Sequence, residues 1–530
     1  MTYLTTEQIH SRRWATLAVL CLSLLAVVVD GSIVNVALPT LVRQLHASTS
    51  ALQWVVDAYT LAMAGLLLTL GSLGDRIGRH RLLAGGLFVF GLGSALAAAS
   101  TSASQLIACR VLMGIGAAAI MPATLSILTN VFTIVSERAK AIAMWSAIAG
   151  LGVAIGPTLG GWLLEHFDWG SIFMVNLPIV AVALIAGRML VPPSADPHPR
   201  ALDPIGAALS IAGISALVYA IIEAPSHGWL SVTTLGTGAV GVAVLAAFVV
   251  FELRSSHPMV DLRIFTNARF SAASFAVTMI FFALFGWLFL LTQQLQFLLG
   301  YDPLQAGVRC LPFAVTMGLA AAQSAKLAAR IGTKLVVASG LALMAVGFGL
   351  ISTSTVHTGY PFLLVASVII AAGMGLAMAP ATESIMGSLP RSQAGVGSAV
   401  NDTTRFLGGA LGVALTGSVA SSVFASHLRP ALVHLPAQYA TQAKASVGAA
   451  VTIAKHIPGS AGQVLVDASR QAFVAGADRA VLVTVVAAIL GSLVAARYLP
   501  ARASDQVSTL EPTAEADLAD FAEMTPIEVA

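Results

Sequence analysis

Charged side chains are scarce in this sequence. Only 10% of its 530 residues are Asp, Glu, Lys or Arg, whereas a soluble domain carries about 25%. Hydrophobic residues make up 57% of the chain. So few charges cannot cover a water-exposed surface, so the composition excludes a soluble globular protein and predicts an integral membrane protein. The small net charge of +3 gives no indication of nucleic-acid binding.

Cysteines and enzyme motifs are also few. Cys21, Cys109 and Cys310 lie in apolar segments, and we predict that they are packing residues that form no disulfide. No cleavable signal peptide is evident, because the first apolar segment exceeds an h-region of about 7–15 residues. No GxxxxGK[ST] loop, HExxH, GxSxG or Cys/His cluster occurs. The sequence therefore predicts neither an enzyme nor a bound metal or cofactor.

Long apolar runs are what the sequence has instead. A helix needs about 20 apolar residues to cross the hydrocarbon core of a bilayer, and fourteen runs suit this purpose. They predict an all-α integral membrane protein. The predicted spans are 14–38, 51–72, 82–100, 104–127, 141–162, 171–190, 204–223, 232–252, 270–291, 306–325, 334–353, 361–386, 396–422 and 475–497.

Lysine and arginine sort between alternate loops. One side carries clusters such as Arg12 and Arg13, and Arg76 to Arg81, whereas the short loops opposite hold only Arg43. The positive-inside rule places the basic side, with both termini, in the cytoplasm. The long loop 423–474 is predicted to be extracellular. Two interpretations of it stay open, an amphipathic helix on the outer face and an ordered loop without a special role.

A charged turn joins the second and third spans. Its sequence, GSLGDRIGRHR at 71–81, contains Gly71, Asp75, Arg76, Gly78 and Arg79. The glycines permit a tight turn, Asp75 suits a helix cap, and the arginines can pair with carboxylates near the membrane surface. An inner loop that is merely charged would explain the arginines but not their order among the glycines and the aspartate.

A fainter copy of this turn, AKLAARIGTK, occurs at 325–334. It follows the second span of a second six-helix set if the seventh and eighth spans are an insertion. Transporters often have parallel halves of this kind, with the substrate site between them. The predicted organisation is a cytoplasmic N-terminus 1–13, a six-helix half 14–190, an inserted helix pair with flanking loops 191–269, a second six-helix half 270–497 that includes the loop 423–474, and a disordered cytoplasmic tail 498–530.

These motifs resemble the major facilitator superfamily, and within it the fourteen-span branch of drug/proton antiporters. VVVDGSIVNVALP at 27–39 is similar to the span-one motif of that branch, with Ser32 where threonine is usual, and the turn 71–81 is similar to the cytoplasmic signature of the superfamily. LIACRVLMGIGAA at 106–118 resembles the span-four motif. GLGVAIGPTLGG at 150–161 resembles the span-five motif of antiporters, and NDTTRFLGGALGVALTGSV, which starts at Asn401, resembles the penultimate-span pattern.

Asp30 is the only charge in the apolar part of the first span. An ionised Asp in mid-helix costs about 2.5–3.5 kcal/mol on insertion scales, and protonation removes most of this cost. We therefore predict that Asp30 carries a proton, with a purely structural carboxylate as the alternative. The resemblance implies that spans one and four line one cavity, so that Arg110 couples to Asp30; a fixed structural pair is the alternative.

The span-five motif has glycines at helical spacing. Gly152, Gly156 and Gly160 are four residues apart and share one face, with Pro157 and Gly161 beside them. Small residues let another helix pack closely. The Gly-Pro pair favours an element that bends or seals the transport path, and ordinary tight packing is the alternative.

Polar residues elsewhere in the spans give further candidates. Asp57 and Arg309 are predicted near the outer side, where they could pair as an external gate. Glu383 fits either an inner gate or a second proton site. An Asp402–Arg405 pair at i,i+3 is more often structural than functional.

The predicted function is proton-coupled efflux of lipophilic, cationic drugs or dyes by alternating access. Export of an endogenous metabolite, antibiotic or lipid fits the same residues, and a non-transporting sensor would not need the repeated halves. We expect a small lipophilic substrate, protons and the lipid bilayer as partners, and no nucleic acid. The chain is predicted to act as a monomer in the inner (plasma) membrane, with the proton gradient as its energy source and no cofactor.

Overall fold

The computed structural model describes residues 6–194, 202–256, 258–389, 394–433, 435–457 and 460–500. Within these ranges fourteen helical segments are long and apolar enough to cross a membrane, which confirms the predicted number. The helices are α1 (Thr6–Leu45), α2 (Thr49–Ile77), α3 (Arg79–Ala98), α4 (Ala103–Val131), α5 (Val135–His166), α6 (Ser171–Met174), α7 (Asn176–Leu190), α8 (Pro204–His227), α9 (Val232–Arg254), α10 (Ala268–Gln293), α11 (Pro303–Arg309), α12 (Leu311–Ile331), α13 (Thr333–Ile351), α14 (Tyr360–Met386), α15 (Ala394–Leu428), α16 (Ala437–Ala445), α17 (Val447–Lys455) and α18 (Ser460–Tyr498).

Several spans differ in detail from their predicted bounds. The first and last run beyond the apolar segments, over Ser11–Leu45 and Ala461–Tyr498, because a helix continues past the hydrocarbon core without needing apolar residues there. The tenth span is broken into α11 and α12. Pro312, which has no N–H to donate, sits in the first turn of α12 just after this break. The acidic tail predicted at 498–530 lies outside the described residues beyond position 500.

Successive spans run in opposite directions through the bundle. We call the side where α1 begins and α18 ends the base, and the opposite side the top. The turn 71–81 and its copy lie at the base, and both join their helices through a glycine with a positive φ. Gly78 has φ 102° and Gly332 has φ 93°, a backbone conformation that side chains with a Cβ rarely adopt. The copied turn is therefore a structural repeat as well as a sequence repeat.

The two six-helix sets share one packing plan. In the first set α1 packs on α5, and α4 packs on both α2 and α3. In the second set α10 packs on α15, and α14 packs on both α12 and α13. The first span of each set thus meets the fifth, and the fourth meets the second and third. The large apolar core runs through both sets.

The inserted pair is formed by α8 and α9. α8 packs on α2 from the first set and on α15 from the second. Its Val218 and Ile222 form a small apolar cluster with Leu61 of α2 and with Ala410 and Ala414 of α15. α9 packs on α8 and on the short 3-10 turn Leu262–Thr266, with the rest of its surface largely exposed. The insertion therefore covers the seam between the two sets through α8.

The long loop between the last two spans is largely helical. It contains α16 and α17, and α17 buries Val447, Gly448, Ala450 and Ala454. α17 packs on α18 and on α1, so its apolar face contacts protein and is not free to lie on a lipid surface. The loop forms a cap at the top that reaches from the second set to the first.

Candidate functional site

Asp30 lies at the centre of a buried polar network. Its side chain is 0% exposed. Arg110 Nη1 donates a hydrogen bond to Asp30 Oδ2 at 2.5 Å, and Asn176 Nδ2 donates one to Asp30 Oδ1 at 3.1 Å. The structure therefore brings Asp30 and Arg110 into a charged pair that is closed to solvent.

Arg110 has further partners around the pair. Its Nε donates to the carbonyl oxygen of Val55 at 3.0 Å, and its guanidinium lies 4.1 Å from the ring centre of Tyr59. The Tyr59 hydroxyl in turn donates to the carbonyl oxygen of Val27 at 3.3 Å. Arg110 is 1% exposed, so a buried arginine is held by one carboxylate, one carbonyl and one aromatic face.

The network continues to polar residues of α3 and α7 that the sequence analysis did not single out. Asn176 Nδ2 also donates to Ser94 Oγ at 3.0 Å, and Ser94 Oγ donates to the carbonyl oxygen of Phe173 at 2.8 Å. Asn176 begins α7 directly after a break in the sixth span. The signal for it was present as an isolated Asn close to a proline, Pro178, in an otherwise apolar segment. A neutral Asn is a weaker sequence signal than a charged residue in an apolar span, so the pattern alone did not indicate it.

Asp57 does not meet Arg309, so the predicted outer gate pair is wrong for this conformation. Gln53, Asp57 and Leu61 are four residues apart and share one face of α2, and on this face both Gln53 and Leu61 contact α15. Arg309 instead lies on α11, which packs on α5 on another side of the bundle. Its guanidinium stacks 3.7 Å from the ring centre of Tyr301.

The Asp57 carboxylate is unusual in its own right. The side chain is 0% exposed, and neither of its oxygens has a hydrogen-bond partner among the described residues. A buried carboxylate without a partner is costly when it is ionised. Asp57 therefore sits unpaired beside the seam that α2 forms with α15.

The span-five motif divides its glycines between two neighbours. A Cβ on Gly152 would contact Val28, one on Gly156 would overlap Ser32, and one on Gly160 would crowd Ile33. These three glycines bring α5 into close packing with α1. Ser32 Oγ also donates to the carbonyl oxygen of Gly152 at 3.2 Å.

The other face of the motif crosses between the two six-helix sets. A Cβ on Gly161 would overlap the backbone of Pro303 in α11. Reciprocally, a Cβ on Gly307 of α11 would overlap the carbonyl oxygen of Pro157. Glycine is needed on both sides of this contact because backbone meets backbone. The motif thus closes one seam at the top of the molecule.

Polar side chains close the top elsewhere. Gln53 Nε2 donates to the carbonyl oxygen of Ala414 at 2.8 Å, from the first set to the second. Gln296 Nε2 donates to the carbonyl oxygen of Val36 at 2.8 Å, in the opposite direction. Thr49 Oγ1 reaches the cap, where it donates to the carbonyl oxygen of Ala445 at 2.9 Å. These hydrogen bonds join the two sets near the top.

A second polar cluster lies in the second set. Arg405 Nη1 is 3.7 Å from Asp402 Oδ1, and Arg405 Nη2 donates to Thr382 Oγ1 at 3.1 Å. Asn401 Nδ2 donates to Asp402 Oδ1 at 3.4 Å. The Arg405 guanidinium lies 5.6 Å from the ring centre of Phe281. The structure therefore brings all three predicted residues of the penultimate span together.

Glu383 stands apart from this cluster. It follows Thr382 in the chain, and its side chain is exposed. It forms no ion pair within the described part of the chain, although its charge acts on Arg269 at the start of α10. Glu383 thus lies near the base end of α14, as its position in the sequence predicted.

The signature turn is held by its own charges. Arg79 Nη2 pairs with Asp75 Oδ1 at 2.8 Å, and the Arg79 backbone N–H donates to the carbonyl oxygen of Ser194 at 2.8 Å. Arg76 is exposed, and a Cβ on Gly71 would have only ordinary contact with Pro122. The turn therefore ties the base ends of α2 and α3 to the chain that follows α7.

These observations define a helical membrane transporter, and comparison with known proteins gives its family. The family model described as Major Facilitator Superfamily matches residues 20–413, and the chain belongs to this superfamily. It is 36% identical to the "Multidrug efflux pump LfrA" of Mycolicibacterium smegmatis, over 92% of this chain and 97% of that protein. It is 37% identical to the "Methyl viologen resistance protein SmvA" of Salmonella typhimurium, over 87% of this chain and 93% of that protein.

Solved structures agree with the fold. A bacterial homologue of the human lysosomal transporter Spinster, in an inward-facing and unoccupied conformation, matches with a TM-score of 0.64 and 17% identity. The match covers 93% of this chain and 98% of that one. The predicted major facilitator fold is therefore confirmed. The chain is a transporter rather than an enzyme, and a multi-pass inner-membrane protein.

Proposed function

We propose that the chain exports small lipophilic, cationic drugs in exchange for protons. The two six-helix sets would expose a site between them alternately to the two sides of the membrane. The base would face the cytoplasm, as the charge pattern predicts. One chain contains both sets, so a monomer suffices, and the proton gradient would supply the energy without a cofactor.

The observation that carries this proposal is the buried pair of Asp30 and Arg110. Both are closed to solvent, and their charges cancel. A proton on Asp30 would leave the Arg110 cation without a counter-charge, and losing one partner of a buried ion pair costs about 3–5 kcal/mol. Proton binding at Asp30 therefore favours another conformation, in which Arg110 has other partners. This is the linkage that a proton-driven conformational cycle requires.

The closed top fits the step of this cycle in which the site is open to the base. The glycine contacts and the hydrogen bonds from Gln53 and Gln296 hold the two sets together there. Drug would enter from the base in this state. Proton uptake from outside would then need these contacts to open, because Asp30 is not accessible while they hold.

The second set would contribute the cationic-substrate contacts and a further charge. Asp402 and Arg405 are partly buried beside Phe281, a combination of carboxylate and aromatic ring that suits a lipophilic cation. Glu383, which is exposed near the base, would act as an inner gate or a second proton site.

The test uses inverted membrane vesicles that have an acidic interior. A fluorescent cationic dye is added, and its uptake is followed with and without a protonophore. We expect protonophore-sensitive uptake by the wild type, loss of that uptake in Asp30→Asn, and wild-type uptake in the control Glu165→Gln. Glu165 is an exposed carboxylate at the end of α5, so this control removes a charge without touching the network.

The outcomes separate the parts of the proposal. Dye uptake that is insensitive to the protonophore would refute proton coupling. Protonophore-sensitive uptake that persists in Asp30→Asn would refute the role of Asp30 and move the test to Glu383→Gln. Absence of dye uptake by wild-type protein that is folded and abundant would refute the proposed cargo.

A further inference from the structure

Two buried carboxylates meet at the base of the inserted pair, outside the network described above. Asp203 precedes α8 and is 8% exposed, and Glu252 lies near the end of α9 and is 2% exposed. Asp203 Oδ1 accepts a hydrogen bond from the N–H of Gly206 at 2.7 Å. Glu252 Oε2 accepts one from the N–H of Val260 at 3.4 Å. Each carboxylate thus uses one oxygen to hold a backbone segment.

The two remaining oxygens face the same small space. Asp203 Oδ2 and Glu252 Oε1 are buried and have no hydrogen-bond partner among the described residues. A Cβ placed on Gly206 would lie 2.8 Å from Asp203 Oδ2 and 2.5 Å from Glu252 Oε1. The absence of a side chain on Gly206 therefore lets the two carboxyl groups approach each other.

The charged neighbours among the described residues do not neutralise this pair; His198, Arg200 and His257 lie outside those residues. Arg254 on α9, and Asp261 and Arg263 at the 3-10 turn against which α9 packs, are all exposed. Within the described residues neither Asp203 nor Glu252 has an ion pair with a lysine, arginine or histidine. Two ionised carboxylates would therefore repel each other in a buried place to which the described residues bring no cation.

A single proton resolves this conflict. When one of two adjacent carboxyl groups is protonated, one charge is removed and the neutral group can donate a hydrogen bond to the ionised one. We propose that Asp203 and Glu252 form a proton-binding site that holds one proton between Asp203 Oδ2 and Glu252 Oε1. The proton belongs to the pair rather than to one residue.

The site has a structural consequence at the base. Glu252 holds the chain at Val260, which leads from the inserted pair through Leu262–Thr266 into α10. Loss of the shared proton would push the two carboxylates apart and loosen this connection between the inserted pair and the second set. The inference does not depend on the proposed drug export, because it concerns a different proton and a different place.

The experiment is infrared difference spectroscopy on the purified full chain in detergent micelles at about pH 5.5, where most exposed carboxylates are ionised. The spectrum of Glu252→Gln is subtracted from that of the wild type, and the same is done for Asp203→Asn. We expect both differences to contain the C=O stretching band of a protonated carboxylic acid. In either variant the amide can donate to the remaining carboxylate, which would then be ionised. Glu165→Gln, at an exposed site, should leave that band unchanged.

Two results would overturn the proposal. The first is a pair of differences that contain only carboxylate bands, since both groups would then be ionised in the wild type. The second is a rise of the wild-type unfolding temperature on addition of Mg²⁺ or Ca²⁺ that Glu252→Gln abolishes, which would identify a cation site. If one variant does not fold, the spectrum of the other variant is sufficient to test for the band, because each variant removes one member of the pair.

The wild type provides an independent check. A proton that is bound in the folded state and released on unfolding makes the folded state less stable as the pH rises. The unfolding temperature of the wild type should therefore fall more steeply between about pH 4.5 and 7 than that of Glu252→Gln. Equal slopes would contradict the shared proton.

Discussion

At the scale of single residues, burial decides what the charged side chains can do. Arg110 and Asp30 tolerate burial because each satisfies the other, and because Val55, Tyr59 and Asn176 occupy their remaining sides. A buried ion pair is weak evidence for stability. Loss of one of the two charges, however, leaves the other charge buried without a partner. The pair is therefore suited to a switch between two arrangements rather than to a fixed brace.

Asn176 is the residue for which this argument gives a direct stability test. Asn176→Ala removes the hydrogen bond to Asp30 Oδ1 and the one to Ser94 Oγ. A buried acceptor left without its donor costs about 1–3 kcal/mol, and more when it is charged. We expect a lower unfolding temperature for the purified protein, measured by tryptophan fluorescence.

Ser94→Ala is the matched control for that prediction. It removes the hydrogen bonds to Asn176 and to the carbonyl oxygen of Phe173 but leaves Asp30 with both of its donors. Its unfolding temperature should fall by less. If the Ser94 variant is the less stable of the two, Asn176 does not act mainly through the carboxylate.

At the scale of helices, the two faces of α5 have different partners. The face of Gly152, Gly156 and Gly160 packs within the first set, and Gly161 packs across to α11. The sequence spacing predicted that another helix packs closely on the first face, with an element that bends or seals the path as the favoured interpretation and ordinary tight packing as the alternative. It could not predict the second, because the partner is a backbone segment, Pro303 to Gly307, that is distant in the chain.

Gly156→Ala tests the close packing of α5 on α1. The new Cβ would overlap Ser32, and overpacking costs about 1–3 kcal/mol. Alanine is the better helix former by about 1 kcal/mol, so the clash should dominate and the free energy of unfolding should decrease. Denaturation in urea with the protein in mixed micelles would measure it.

Gly150→Ala gives the comparison for this substitution. Gly150 lies in the same helix and has no atom within 4 Å of the position where a Cβ would be. We expect this variant to be as stable as the wild type or more so. Equal losses in the Gly150 and Gly156 variants would mean that α5 needs glycine for flexibility and not for contact with α1.

The sequence-based predictions agree with the structure for features that depend on a single segment of the chain. They differ from it for contacts that depend on how the helices face one another. Apolar length gave all fourteen spans, and the isolated charges led to Asp30 and Arg110. The pairing of Asp57 with Arg309 failed because depth in the membrane does not determine which side of a helix a residue occupies. The sequence did not indicate Asn176 or the contacts of Gln53, because a neutral polar residue in an apolar span is a weaker signal than a charge.

At the scale of the whole molecule, the inserted pair and the cap both span the two sets. α8 contacts α2 and α15 through one apolar cluster, Ser50 of α2 donates to Glu223 of α8 at 2.6 Å, and Trp229 donates to Ser422 of α15 at 3.0 Å. The top ends of the two sets are thus joined directly and through the insertion. Any conformation that opens the top must break or stretch these contacts together.

Removing the two glutamine contacts should favour that open conformation. A neutral hydrogen bond contributes about 0.5–1.5 kcal/mol, so Gln53→Ala with Gln296→Ala should weaken the closed top by about 1–3 kcal/mol. Each 1.4 kcal/mol changes a population ratio by a factor of about ten. Thr101 and Thr355 are exposed in top loops of the first and second sets. Spin labels at these two positions would report the distance between the two sets by pulsed electron paramagnetic resonance.

We expect the double variant to show a larger share of long distances than the labelled wild type, and Gln44→Ala to show none of this change. Gln44 is an exposed glutamine at the top end of α1, so its loss alters the surface but not the seam. An unchanged distance distribution in the double variant would mean that the glycine contacts between α5 and α11, together with the insertion, hold the top closed by themselves. In that case the balance between the two conformations would depend on backbone packing, and Gly307→Ala would be the substitution that shifts it.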